Sequence, residues 1–294
     1  MSDNGSNNNW KDIESYLKLA DRVILPSNNG TALTDLPEYH GKYSVGVDLG
    51  TAYLVVVILD EEKKPVIGEY QFAQVVRDGL VVDFIGAVDR LRAMKSRLES
   101  RLQKELLYAS SAFPPGVPQQ EVRATANVLE AAGFECTGLI DEPSAANKVL
   151  GMDNCAIVDV GGGTTGIAII KNGEVVYSAD EATGGTHFSL VIAGALDISF
   201  EDAEKIKTTP GEQRRLFPIV RPVMEKVASI TERHINGYDI EKIVLVGGSS
   251  AFTGIDDVIE EYTGLPTDVP YNPLFVTPLG IATVSYTHLT LPTN

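Results

Sequence analysis

Residues 157–170 read IVDVGGGTTGIAII. Ile157, Val158 and Val160 form an apolar β-branched run, Asp159 sets a carboxylate at its end, and three glycines and two threonines lead into a second apolar run, Ile167 to Ile170. This pattern predicts a strand, a tight turn and a strand, with bare backbone at the tip. A residue without Cβ reaches positive φ and lets backbone N–H groups close on an anion, so the expected guest is a phosphate. A lone carboxylate beside such a nest repels phosphate directly, and its expected role is to hold a hydrated Mg²⁺. Taken alone, the stretch has a plainer reading as an ordinary glycine-rich hairpin.

The plan recurs. Residues 45–59, VGVDLGTAYLVVVIL, again run from apolar strand through Asp48, Gly50 and Thr51 into apolar strand, and Asp48 and Asp159 lie 111 residues apart. Two similarly built halves follow, each with a carboxylate and a glycine turn. A third turn stands at 243–250, IVLVGGSS, and between the halves lies Asp141-Glu142-Pro143-Ser144, carboxylates at the end of a strand-like run and just before a helical one.

In this order the stretches resemble the actin-like ATPase superfamily, which includes the DnaK-type heat-shock chaperones. Residues 45–59 look like its first phosphate loop, 139–147 (LIDEPSAAN) its first connecting segment and 157–170 its second phosphate loop. Residues 244–252 (VLVGGSSAF) look like its adenosine loop and 277–282 (TPLGIA) its last connecting segment, so the resemblance covers residues 43–284. More narrowly, VVRDGLVVDFIGAV (75–88), SSAFPPG (110–116), GGGTTGIAI (161–169) and YSADEATGG (177–185) resemble the EutJ family, the chaperone-like proteins of ethanolamine utilisation.

The resemblance implies an α/β actin-like ATPase fold, a duplicated ribonuclease-H-like architecture of two lobes with a nucleotide cleft. It implies ATP or ADP with Mg²⁺ as ligands. Carried over by position, Asp48 and Asp159 would hold the metal largely through water, and Glu142 would orient, or take a proton from, the attacking water. Thr51 and Thr164 match hydroxyl positions at the phosphates, while Gly50, Gly161, Gly162 and Gly163 offer backbone donors. Gly184 and Gly185, opening a helix, would add an N-terminus aimed at an anion. Gly247, Gly248 and Ser249 would approach the adenosine, and Glu204 and Lys207 would bracket the nucleoside. Spaced i and i+3, that last pair reads equally well as a surface ion pair.

Several positions depart from the superfamily's pattern. Ala52 replaces a hydroxyl, Tyr53 stands where a small polar residue is common, and His187 where an acid is common. No lysine is clearly placed for a γ-phosphate; Lys207 and Arg77 are the nearest. Any Mg-dependent ATPase activity is therefore expected to be slow or switch-like. The implied function is an ATP-binding, chaperone-like nucleotide switch that assists assembly or reactivation of ethanolamine-utilisation machinery, with protein partners from that system. The implied location is cytoplasmic, in association with a bacterial microcompartment. Two alternatives stand beside it: a non-catalytic scaffold that retains the fold, and a small-molecule kinase for which Asp83 is the nearest catalytic carboxylate.

Composition narrows the classes. With 24 Lys and Arg against 40 Asp and Glu the formal charge is −16, which argues against nucleic acid and anionic membrane surfaces as partners. No apolar run reaches the roughly 20 residues that span a bilayer, and no signal core opens the chain. Cys136 and Cys155 have no CxxC mate and are expected as buried thiols rather than a zinc site or a disulfide. His40, His187, His234 and His288 form no spaced cluster.

Along the chain, residues 1–9 are expected to be disordered, 10–24 an amphipathic helix, and 26–42 a linker, so that 1–42 forms an N-terminal segment. The first lobe is expected over 43–152 and the second over 153–272. Each has three strands, then alternating helices and strands, which implies a mixed sheet with helices on both faces. A helix over 212–235 is expected to start only after Pro218 and Pro222. Residues 273–284 would form a terminal helix returning to the first lobe. The tail 285–294, SYTHLTLPTN, fits neither that helix nor the resemblance and reads as an artefact. The connections 74–83 and 198–211 are short where larger relatives insert lid subdomains, and no peptide-binding module of the DnaK type is recognisable after 284.

Overall fold

The structure, a computed structural model, describes residues 4–27, 41–77 and 80–285. The chain divides into two compact units. One runs through Val149 and takes in the chain again from Thr277; the other is Leu150–Val276. Residues 1–3, most of the expected linker and the tail from 286 lie outside the described residues.

The first unit opens with α1 (Asn4–Val23) and β1 (Ile24–Pro26), then a meander of β2 (Ser44–Leu49), β3 (Tyr53–Leu59) and β4 (Pro65–Phe72). A short hairpin, β5 (Val76–Arg77) with β6 (Leu80–Val81), leads to α2 (Phe84–Leu102), β7 (Tyr108–Phe113), α3 (Gln119–Ala131), β8 (Glu135–Asp141) and α4 (Glu142–Leu150). The sheet order is β1-β4-β3-β2-β7-β8: the meander is antiparallel, while β7 and β8 add in parallel beside β2. On one face Val47, Val56 and Ile58 meet Leu91, Met94 and Leu98 of α2 and Val128 and Leu129 of α3 in a continuous core.

The N-terminal helix is packed on the body. Its stripe of Ile13, Leu17 and Ala20 is at most 4% exposed. The helix starts earlier than the spacing suggested, at Asn4, and stops at Val23, because Ile24 enters β1 and pairs in parallel with Gly68 of β4. Gly68 makes that approach possible: a Cβ there would stand 3.0 Å from the Ile24 side chain and 2.6 Å from the Val56 carbonyl. One residue on, the buried Glu69 carboxylate receives Arg97 Nη2 at 2.8 Å and the Ser27 hydroxyl at 3.1 Å, so the ion pair that satisfies a buried charge also ties down the end of this segment.

The second unit repeats the order with β9 (Asn154–Val160), β10 (Thr165–Lys171), β11 (Glu174–Glu181), α5 (Gly185–Leu196), α6 (Phe200–Lys207) and α7 (Pro210–Ile235). There follow β12 (Ile243–Val246), a 3-10 turn (Gly248–Ala251), α8 (Ile255–Thr263), β13 (Thr267–Asp268) and a second 3-10 turn (Pro273–Phe275). The sheet order is β11-β10-β9-β12-β13, again an antiparallel meander with parallel strands beside its first member. Asn172 and Gly173, with φ of 54° and 78°, make the two-residue β10–β11 turn, the conformation that asparagine-glycine adopts most readily. Contrary to expectation, α7 runs unbroken through Pro218 and Pro222. Its buried face, Leu216, Val220, Met224 and Val227, packs into the core with Phe188, Leu245 and Ile259, and that packing outweighs the missing proline donors.

The last helix, α9 (Val276–Thr283), crosses into the first unit's grouping. Gly46 of β2 and Gly280 of α9 have no Cβ where one would stand 2.5 Å from the Ala282 nitrogen and 1.8 Å from the Ala145 carbonyl, so helix, strand and α4 close at backbone distance. Among the described residues, 73–77, 80–83 and 197–209 hold only β5, β6 and α6 in place of a large inserted subdomain.

Candidate functional site

The two glycine turns close alike. In the first unit the Gly50 amide donates to the Tyr53 carbonyl at 3.0 Å; in the second the Gly161 amide donates to the Thr164 carbonyl at 3.0 Å. Asp48 and Asp159 occupy the same position, two residues before the glycine and next to last in their strands. Both are half-buried at the strand end. None of Gly161, Gly162 and Gly163 takes positive φ, so the expected left-handed backbone is absent from this turn. What the sequence supplies there is unencumbered backbone: the amides of Gly162, Gly163 and Thr164 donate to no protein acceptor among the described residues, and neither do those of Thr51 and Ala52.

In the second unit two further segments, the start of α5 and the turn after β12, converge on the loop. The Gly161 carbonyl accepts the Gly185 amide at 2.9 Å and the Ser249 hydroxyl at 2.8 Å, and the Gly162 carbonyl accepts the Thr186 amide at 2.7 Å. The contacts are close because Cβ atoms are missing. At Gly184 a Cβ would stand 2.8 Å from the Gly163 carbonyl carbon and the Thr164 nitrogen; at Gly185 it would stand 2.1 Å from the Ser249 hydroxyl. Gly247, with φ of 85°, both needs the left-handed region and leaves room for Asp159, whose Oδ1 would lie 2.1 Å from a Cβ.

The start of α5 differs from its expected role. Gly184 N–H donates to His187 Nδ1 at 3.3 Å, Gly185 and Thr186 donate to the loop carbonyls, and His187 N–H donates to the Gly184 carbonyl at 2.9 Å. The helix N-terminus therefore braces the glycine loop, and its first donors are occupied within the protein. His187 caps its own helix.

Glu204 and Lys207 of α6 are no surface pair. Lys207 Nζ lies 2.7 Å from Glu204 Oε2 with both side chains nearly buried, and it also donates to the Gly185 carbonyl at 3.0 Å. The buried Ser189 hydroxyl donates to the same Glu204 oxygen at 2.5 Å. Burial lowers the Lys207 pKa from its ordinary value, and the Glu204 carboxylate pushes back. Sequence reading missed Ser189, whose signal is its place four residues after Gly185, on the same helix face.

In the first unit Asp141 caps α4 by accepting the Ser144 amide at 3.0 Å, and the half-buried Glu142 is the first residue of that helix. Asp83, the carboxylate named for a kinase, is the N-cap of α2, accepting the Gly86 amide at 2.8 Å. Cys155 is buried and its thiol is pushed up to about 12 by desolvation; Cys136 is only half-buried. Cys136 lines a hollow of about 580 Å³ between α3 and β8 that holds none of the predicted site residues. Among the described residues no helix is long and apolar enough to cross a membrane, and no group of three or more His, Cys, Asp or Glu stands together to hold a metal.

Comparison with known proteins places these features in a family. The family described as type IV pilus assembly protein PilM matches residues 143–277. The solved structure of MreB5 of Spiroplasma citri bound to ADP, 20% identical, superposes with a TM-score of 0.68 over 81% of this chain and 94% of its own, a likeness of fold alone. The ethanolamine utilization protein EutJ of Escherichia coli K12 is 44% identical over 256 residues, 87% of this chain and 88% of that protein. The crystal structure of EutJ from Carboxydothermus hydrogenoformans, 42% identical, covers 93% of this chain and 98% of its own with a TM-score of 0.87. With its duplicated meanders, paired strand-end carboxylates and actin-like ATPase fold, the chain belongs to the EutJ family of ethanolamine utilization proteins.

Proposed function

We propose that the protein binds ATP or ADP with Mg²⁺ and works as a chaperone-like nucleotide switch for protein partners of the ethanolamine-utilisation system. The observation that carries this reading is the set of amides at Gly162, Gly163 and Thr164 that meet no protein acceptor among the described residues, in a loop braced by the start of α5 and by the turn after β12. Such a cluster of donors suits phosphate oxygens. Asp159, beside its glycine turn in the second unit, would hold Mg²⁺ through its waters, and the bound metal would offset phosphate charge; Asp48 is the matching carboxylate of the first unit. Glu142 is the carboxylate offered to an attacking water. Ser249, Gly247 and Gly248 would line the nucleoside side, with Glu204 and Lys207 beside them. Lys207 is committed to Glu204 and the Gly185 carbonyl, which supports slow hydrolysis and a protein that signals by occupancy. Action in the cytoplasm, at a bacterial microcompartment, belongs to the same proposal.

Calorimetry with ADP and ATP, with and without Mg²⁺, on the wild type and on Gly184→Ala tests it. A Cβ at 184 displaces the loop without touching a ligand, so binding is expected to weaken about tenfold or more, near 1.4 kcal/mol. A folded wild type that binds neither nucleotide would refute the proposal. A non-catalytic scaffold that retains the fold is the reading left in that case.

A further inference from the structure

The hollow between α3 and β8 lies along the open edge of the first unit's sheet. β8 is the last strand in the order β1-β4-β3-β2-β7-β8, and no described strand pairs with its outer side. In a parallel ladder successive residues turn their backbone groups to opposite sides. The Glu135 amide donates inward to the Leu107 carbonyl, so Cys136 turns its N–H and C=O to the open side. Such an edge is a template for a further strand, and proteins blunt it with lysine, proline or a bulge. β8 carries neither lysine nor proline. Its one such device is a register shift that leaves Thr137 without a mate, with Gly138 beside it.

α3 lies over β7 and β8 and overlooks this edge. Gln119, Arg123, Ala126 and Glu130 line the hollow at spacings of four, three and four, one stripe of a helix face. Arg123 and Glu130 are exposed, and neither side chain has a hydrogen bond or ion pair among the described residues. Seven residues set them about 10 Å apart along the helix, too far to pair with each other. Because the chain turns at Gly133 from α3 straight into β8, helix and strand run in opposite directions, and Glu130 stands at the Cys136 end of the hollow. The Cys136 thiol registers it: burial raises the thiol pKa, and the Glu130 charge adds to the rise. Arg123 stands toward the Leu139 end.

This arrangement is complementary to itself. A two-fold axis beside Ala126 and Gly138 sets β8 antiparallel to β8 of a second copy and brings each Arg123 to the other copy's Glu130. The spacings agree. Adjacent strands stand about 4.8 Å apart, so helices lying over the last two strands of each sheet come about 10 Å apart, the distance at which helices pack. Ala126, near the axis, leaves room for that approach. We propose that the α3–β8 edge is an interface between two copies of this chain, closed by backbone pairing at β8 and by two reciprocal Arg123–Glu130 ion pairs.

The test is sedimentation velocity of the full chain over a concentration series, at about 0.15 M salt to screen the net charge of −16. Alkylation of Cys136 by iodoacetamide gives a local reading. The wild type is expected to dimerise, with Cys136 reacting more slowly as the dimer fills, while the buried Cys155 stays protected throughout. Arg123→Glu sets like charges together at both pairs and is expected to weaken the dimer about tenfold or more and to speed Cys136 alkylation. The double variant Arg123→Glu with Glu130→Arg restores opposite charges and is expected to recover both. The two positions are exposed, so the fold of either variant should hold. A wild type that stays monomeric at every concentration would overturn the proposal and leave the hollow to another protein. So would a dimer whose affinity and Cys136 reactivity are the same in Arg123→Glu as in the wild type.

Discussion

Ser249 donates its hydroxyl hydrogen to the carbonyl of Gly161 across 2.8 Å. These residues lie 88 positions apart, and the bond joins the turn after β12 to the turn after β9. Ser249→Ala removes a partly buried hydrogen bond, expected to cost about 1 kcal/mol. Because the loop also keeps the Gly185 and Thr186 amides, the fold should survive, with faster amide hydrogen exchange at 161–164 and nucleotide affinity lower by a few fold. Exchange rates equal to wild type would show that the serine does not hold the loop.

Gly184, the N-cap of α5, and Gly194 within the helix make a matched pair. A Cβ at Gly184 meets backbone at 2.8 Å, whereas at Gly194 it meets nothing within 4 Å. Gly184→Ala is expected to destabilise by about 1–3 kcal/mol, and Gly194→Ala, at an exposed helical position, to stabilise by about 0.5–1 kcal/mol. Urea denaturation of the two variants checks both signs at once.

Leu17 is fully buried in the contact of α1 with the first unit. Leu17→Ala is expected to destabilise by about 2–5 kcal/mol in thermal or urea unfolding. An unchanged midpoint would mean that the helix is an appendage suited to docking rather than a part of the body.

Glu181 gives stability a pH dependence of known sign. A hydrogen bond from His234, aided by the charge of Arg233, holds its pKa below the ordinary value of 4.5. The folded state therefore binds that proton less readily than the unfolded chain. The contribution is complete above 4.5 and is lost as pH falls through the lower folded value. The difference in melting temperature between wild type and Glu181→Gln should hold steady at neutral pH and shrink in acid. Because Arg233 is open to solvent and Glu181 only partly covered, the difference should be small throughout.

The turns were legible because their chemistry leaves few substitutes. A carboxylate at a strand end, bare glycines and a hydroxyl, repeated 111 residues apart, constrain both fold and location. Relationships set by tertiary packing were hidden. The resemblance implies an anion site at the first residues of α5, yet their donors are taken by loop carbonyls supplied from 24 residues upstream and by His187. Glu204 and Lys207 at i and i+3 look the same on a surface or in a core, and only the packing of α6 on α5 distinguishes the two. Pro218 and Pro222 argue locally against helix, and the buried face of α7 overrides them. The three-residue β1 has too little pattern to read.

Whether the amides of the 161–164 turn receive a nucleotide's phosphates is read directly from the nitrogen-15 amide spectrum of the full chain titrated with ADP and Mg²⁺. The Gly162, Gly163 and Thr164 resonances are expected to move with saturation, while the Asn172–Gly173 turn at the other end of β10 stays in place. Nucleotide binding that leaves those three resonances unmoved would contradict phosphate binding there.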